Sequence, residues 1–248
     1  SPFGIWRNKR TDPRGSESTG LQNYDDLYAD VLLWDQKGWV DYFVPQLYWN
    51  LDTKAAPSRK LVKWWNDNIK HADLYIGQDV KRTMDMPDPD NSTGNELDTK
   101  VKLGRRLPNV GGNVWWHGYW VTGNYKGVAD LLADKYQSTI ALPPAYRGPG
   151  HGPKNVGKIE LVKNDDGQFL EWKAVKHGKE EKADDVVRYV VYEFLPGEEQ
   201  DLNNSQAIVA LTPFNRVRIA NPEPGLTYAV TALDRLNRES DAIFLYVK

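Results

Sequence analysis

Five carboxylates, Asp12, Asp52, Asp79, Asp85 and Asp88, fall after strand-like stretches in the first part of the chain. Of these, Asp79 alone lies within a residue or two of a strand end on the parity that aims it away from packed helices. Cleaving a glycosidic bond takes two carboxyl groups flanking the bond, one of them an acid, and Asp79 is the candidate this stretch supplies. Asp25, Asp26 and Asp30 fall at the start or on the body of a helical stretch, where an acid offsets the helix dipole without any catalytic role. Alternation along the strand-like runs collects a second set, Trp6, Asn8, Gln46, Tyr48, Tyr75, Trp115 and His117, to which the neighbouring Arg7 and Trp49 add a guanidinium and a further ring. Flat rings offer an apolar face to the C–H face of a pyranose, while amide, guanidinium and imidazole groups bond its hydroxyls, so the mix suits carbohydrate. The same bulky rings suit ordinary core packing, and for Trp6, Tyr48, Trp49 and Trp115 both readings stand.

Other chemistries fall away. The absence of cysteine excludes disulfides, thiolate metal sites and a cysteine nucleophile. His71, His117, His151 and His177 lack the paired spacing of a zinc site, and no glycine-rich phosphate cradle follows a strand. Residues 88–96 look at first like a calcium loop, but the glycine is misplaced, a proline intervenes and the terminal Glu comes too early. The expectation is therefore no metal and no cofactor. A net charge of −2 gives no electrostatic case for nucleic acid. Mean hydropathy is −0.66, and no run approaches the roughly 20 apolar residues of a membrane span.

The elements that must position these groups divide by composition. Tryptophan crowds the first 120 residues, and Trp172 stands alone beyond them. Residues 1–141 alternate short apolar runs at 2–6, 41–49, 72–78 and 113–120 with amphipathic stretches at 24–37, 58–70, 95–107 and 125–136, the pattern of β/α units on a parallel sheet. Thr93 and Glu96 have capping-box spacing ahead of the third helix. Residues 142–153 are dense in Pro and Gly and read as a linker. Residues 154–248 change period, with seven short strands at 157–162, 168–174, 186–194, 208–211, 217–220, 227–233 and 242–247, as in a β-sandwich. Trp172, Tyr189 and Tyr228 read as its anchors, Tyr228 in the place of a tyrosine corner, and the set resembles a fibronectin type III domain.

The ordered series Ser1-Pro2-Phe3-Gly4-Ile5-Trp6-Arg7-Asn8, Asp12-Pro13-Arg14-Gly15-Ser16, Tyr24-Asp25-Asp26-Leu27-Tyr28-Ala29-Asp30, Trp39-Val40-Asp41-Tyr42, Pro45-Gln46-Leu47-Tyr48-Trp49 and Leu74-Tyr75-Ile76-Gly77 resembles the C-terminal half of the bacterial glycosyl hydrolase-like family related to family ten. The resemblance implies four β/α units of a (β/α)8 barrel, a following β-sandwich, and a mouth at the strand C-termini to which Arg7, Asn8, Gln46 and Tyr48 bring binding groups. It implies a parent glycoside hydrolase of the cell envelope, or a secreted one, acting on O-glycosyl bonds of a glycan strand such as peptidoglycan. The chain then reads as a fragment, inactive alone, its main carboxylate in the absent half. Four strands leave an open edge, so the expected partners are the missing N-terminal half of the barrel or a second copy of the chain, beside the polysaccharide itself. A non-catalytic glycan-binding or adhesion protein is the alternative.

Overall fold

A computed structural model describes residues 1–146, 148, 150–175, 185–220 and 222–248, with Ser92 and Thr93 described in backbone only. The chain forms two compact units, Ser1–Tyr136 and Gln137–Lys248. The first is an α/β unit and the second is all-β.

Unit one runs through α1 (Asn23–Leu27), α2 (Val31–Gln36), β1 (Tyr42–Phe43), α3 (Ser58–Asn68), β2 (Asp73–Asp79), α4 (Val80–Asp85), β3 (Pro87–Asp88), β4 (Asn91–Asn95), α5 (Leu97–Arg105), β5 (Val110–Trp116), α6 (Gly118–Thr122) and α7 (Val128–Leu131). Strands β1, β2 and β5 form one parallel sheet in that order. The run at 41–49 is ordered as a strand only over Tyr42–Phe43, because Pro45 has no N–H to donate; pairing resumes at Gln46, which bridges Phe3 on one side and Gly77 on the other. The expected strand at 2–6 is not one beyond the Phe3 bridge. Its carbonyls serve other donors instead: Asn23 Nδ2 donates to Phe3, Trp65 Nε1 to Gly4, and the Asn23 and Tyr24 amides to Ile5 and Trp6.

Three helical expectations also change. The stretch 24–37 divides at Tyr28, which takes a left-handed φ of 54°, and Asp30 then caps α2 by accepting from the Leu33 amide at 3.2 Å. The stretch 125–136 becomes a 3-10 turn, the short α7 and a π turn, interrupted by φ values of 50° at Lys126 and 76° at Gly127. The capping box cannot be followed at Thr93, whose side chain lies outside the described residues. The Leu97 amide donates to Asn95 Oδ1, and Glu96 turns inward to receive the Leu51 amide.

Leu61, Val62, Trp64 and Trp65 line one face of α3 at helical spacing and pack on Ile5, Trp6, Leu47, Leu74 and Ile76, which puts the core between this helix and the sheet. The opposite sheet face carries Phe3, Tyr42, Val114 and Trp116, exposed at 47%, 60%, 46% and 55%. Tyr75 belongs to that face too, with the Tyr42 ring edge-on to it at 6.1 Å.

Unit two holds β6 (Ile159–Asn164), β7 (Gly167–Trp172), β8 (Val186–Phe194), β9 (Ile208–Thr212), β10 (Arg216–Ile219), β11 (Thr227–Asp234) and β12 (Ile243–Tyr246). They make two antiparallel sheets, ordered β10-β7-β6 and β12-β11-β8-β9. Ile159, Leu170 and Trp172 from the first pack with Tyr189, Val191, Tyr228 and Val230 from the second in one core. Tyr228 is fully buried opposite Glu193 on the neighbouring strand, and burial followed by that carboxylate pushes its phenol above the ordinary range. Within 142–153, Arg147 and Pro149 lie outside the described residues, as does His177; the described remainder carries no helix or strand.

Candidate functional site

A cleft of about 470 Å³ opens beside the C-terminal ends of β2 and β5, lined by Asn50, Asp79, Lys81, Arg82, Asp85, Met86, Trp116, His117 and Trp120. Crevices outside the carboxyl ends of parallel strands are the usual ligand sites of such sheets. The register sets Asp79 opposite Trp116 at the strand ends, and α4 begins one residue after Asp79. Asp79 caps that helix by accepting from the Arg82 amide at 2.9 Å, and the Arg82 Nε lies 3.7 Å from its other oxygen. Tyr48 stacks on Trp116 with centroids 6.2 Å apart and planes 17° apart. Burial, and then the charge of Asp79, push the Tyr48 phenol above its ordinary range, so the hydroxyl stays protonated and able to donate near neutrality.

Asp85 is held differently. Lys126 Nζ lies 2.7 Å from its carboxylate, Tyr125 Oη donates to it at 2.7 Å, and Lys81 pairs with it one helical turn away. These donors, Lys126 first, hold the Asp85 carboxyl well below its usual 3.8. A carboxyl depressed in the fold stabilises it above the unfolded value and loses that contribution as pH falls toward the folded value. Asp85→Asn should therefore lower the urea midpoint at about pH 6, with the gap to wild type closing as pH falls below about 4. A gap that stays constant down to about pH 2 would show that the ion pairs contribute nothing.

The structure brings Asp79, Tyr48 and His117 together at the cleft and separates the other expected residues. Trp6 is 2% exposed in the core, stacked on Trp64 at 5.7 Å with Arg14 over its ring. Trp49 packs on the same core, and Trp115 turns toward the helices onto the cluster of Val80, Val101 and Val128. Arg7 is clamped by Asp25 and Asp12, each at 2.8 Å, so Asp25 has an ion-pair partner beyond any dipole role. Asn8 closes the loop after residue 7, with its Nδ2 donating to the Gly20 carbonyl and its Oδ1 accepting from Ser18. Gln46 donates to the Ser1 carbonyl at 3.2 Å, and Tyr75 stays on the open sheet face against Tyr42.

Trp116, Trp120, Asn50 and Arg82 are cleft residues that the sequence reading did not select. The parity expected for the last strand assigned Trp115 and His117 to the mouth, but the register pairs Gly77 with Val114 and Asp79 with Trp116, so Val114 and Trp116 are the exposed residues on that face. Among the described residues no group of three or more His, Asp or Glu side chains is arranged to hold a metal ion. Nor is any helix among them long and apolar enough to cross a membrane.

Residues 1–93 match the family model described as Glycosyl hydrolase-like 10. The first 93 residues of the chain are thus similar to a glycosyl hydrolase-like family. Glycosyl hydrolase YngK of Bacillus subtilis (strain 168) is 32% identical over 98% of this chain and 48% of its own length. Glycosyl hydrolase DigH of Escherichia coli O6:H1 is 37% identical over 46% of this chain and 28% of its own, and DigH of Escherichia coli (strain K12) is 36% identical over the same shares. The chain thus spans half or less of the length of these curated relatives. A solved structure described as titin kinase and its flanking domains aligns with 40% of the chain and 18% of its own at 15% identity and a TM-score of 0.27, which carries no weight for the fold. The cleft residues from Asn50 to Met86 fall inside the matched region, and Trp116, His117 and Trp120 fall after it.

Proposed function

We propose that this chain supplies part of the glycan-binding cleft of a bacterial glycoside hydrolase acting on O-glycosyl bonds, and that it does not turn over substrate by itself. The Tyr48–Trp116 stack beside Asp79 carries the reading, because it sets a broad aromatic surface next to hydrogen-bonding groups at the strand ends. Asp79 is committed as a helix cap and Asp85 as the centre of a cationic cluster, so neither is a free acid for the second half of a carboxylate pair. The three-stranded parallel sheet, with the segment bridged at Phe3 beside it, reads as the C-terminal four units of a (β/α)8 barrel, with the missing N-terminal units, or failing those a second copy, covering the exposed Phe3, Tyr42 and Val114 face. The all-β unit reads as an accessory fibronectin type III-like module. The parent protein belongs, on this reading, in the cell envelope or outside the cell, where glycan strands such as those of peptidoglycan are found.

The test is tryptophan fluorescence titration of the 248-residue chain with soluble denuded glycan strands. Trp116→Ala should weaken binding by about 1–2 kcal/mol with little change in melting temperature, since the residue is half exposed. Equal affinity of variant and wild type would remove the stack from the site, and measurable turnover by the homogeneous chain would overturn its inactivity.

A further inference from the structure

We propose a second saccharide subsite, contiguous with the cleft and chemically distinct from it, so that the ligand is an oligosaccharide held across at least two positions; this rests on the glycan reading above. A groove of about 300 Å³ lies beside the cleft, lined by Tyr119, Trp120, Thr122, Gly123 and Tyr125. Two features join the two. Trp120 lines both, and Tyr125, a wall of the groove, donates its hydroxyl to Asp85 in the cleft. Their linings differ in kind. The cleft carries Asp79, Lys81, Arg82 and Asp85, whereas the groove contains no ionisable side chain apart from its tyrosines.

The rings are arranged as walls. Trp120 meets Tyr119 at 5.2 Å and 77° and Tyr125 at 4.9 Å and 60°, edge to face, with His117 behind them at 5.6 Å from Trp120 and 5.9 Å from Tyr119, so the groove is bordered by rings set at different angles. Tyr119 is 68% exposed, a large ring standing in water at the rim. An uncharged lining of aromatic faces with a threonine hydroxyl and a glycine suits a neutral pyranose: ring faces against its C–H face, hydroxyls on its edge, and no charge to desolvate. A charged small molecule fits the cleft better, because the groove's own lining carries no charge and Lys81 and Lys126 approach it only at the Tyr125 ring, each 5.7 Å from the centroid. The occupant is therefore the sugar next in line to the one in the cleft.

The experiment compares chitobiose with chitotetraose, by calorimetric titration of the wild-type chain and of Tyr119→Ala and Tyr119→Phe. The wild type should bind the tetrasaccharide at least tenfold more tightly than the disaccharide. Tyr119→Ala should lose most of that length advantage while binding the disaccharide as before, and Tyr119→Phe, which keeps the ring, should retain it; circular dichroism confirms that each variant folds. Equal wild-type affinities for the two lengths, or a Tyr119→Ala effect identical on both, would overturn the second subsite while leaving the cleft in place. Failure of the wild type to bind either sugar would overturn the subsite, and failure with glycan strands as well would take the glycan reading down with it.

Discussion

Lys100→Met should destabilise unit one by roughly 3–5 kcal/mol, the usual cost of stranding one member of a buried ion pair. The Lys100 and Glu96 side chains are 2% and 3% exposed and sit 3.2 Å apart. The ammonium also donates to the Trp49 carbonyl and the Thr83 hydroxyl, both at 3.1 Å. The carboxylate accepts the Leu51 amide at 2.9 Å and Asn50 Nδ2 at 3.4 Å. Burial drives the Lys100 ammonium below its ordinary range against the pull of Glu96, so the lysine gives up hydration that its partners only partly replace. Methionine removes the charge and leaves a buried carboxylate facing none. The double variant Glu96→Gln/Lys100→Met should recover a good part of the loss, since the glutamine carbonyl can still receive the Leu51 amide. Urea unfolding of the three chains decides the matter: a single-variant cost below about 1 kcal/mol would mean that the pair is hydrated in solution. The pair holds residues 49–51 against α4 and α5, so the same variant should also loosen Asn50 at the rim of the cleft.

Asp35→Ala should cost about 3 kcal/mol, because a charged acceptor serving three backbone amides is removed at once. Its carboxylate, on a residue only 3% exposed, receives the amides of Lys70, His71 and Ala72 at 2.9, 3.1 and 2.8 Å. These amides follow the end of α3 and lead into β2, where the chain turns sharply and the donors have no helical or ladder partner. Water can reach part of this turn, since Lys70 and His71 are exposed, and that keeps the expected cost below three full hydrogen bonds to a charge. Asp35→Asn retains one acceptor oxygen and should cost about half as much. Chemical denaturation measures both, and amide exchange at residues 70–72 locates the effect; an alanine variant within about 0.5 kcal/mol of wild type would refute the assignment.

Period and punctuation made much of this architecture legible. The seven strands of the all-β unit were bounded by turn residues, and each lies within three residues of the predicted limits. In unit one, the strand at 72–78 and the helix at 58–70 were clear because Leu74, Ile76, Leu61, Val62 and Trp65 repeat at their proper spacings. The segment 2–6 was misleading because a buried apolar run looks the same whether its backbone pairs with a strand or with side chains such as Asn23 and Trp65. The cleft was half visible. Tyr48 and Asp79 followed from strand parity, whereas the parity chosen for the last strand took Trp115 in place of Trp116, and His117, selected on that same parity, reaches the cleft because it lies past the strand end as the cap of α6. Nothing local could announce Glu96–Lys100 as a support for residue 50, since that contact is made across 46 positions of chain.

The parallel sheet has a bearing on how quickly the chain can reach this state. Phe43 pairs with Leu74, and Gly77 with Val114, partners about thirty to forty residues away, so no hairpin can nucleate the sheet and each pairing must first close a long loop. The all-β unit, by contrast, contains a two-residue hairpin between Asn164 and Gly167 that can form locally. Backbone protection in β1, β2 and β5 should accordingly appear late in refolding, and during that interval the aromatic side chains of the sheet are open to other chains. Aggregation yield should therefore rise with protein concentration during refolding, long before it troubles the folded protein.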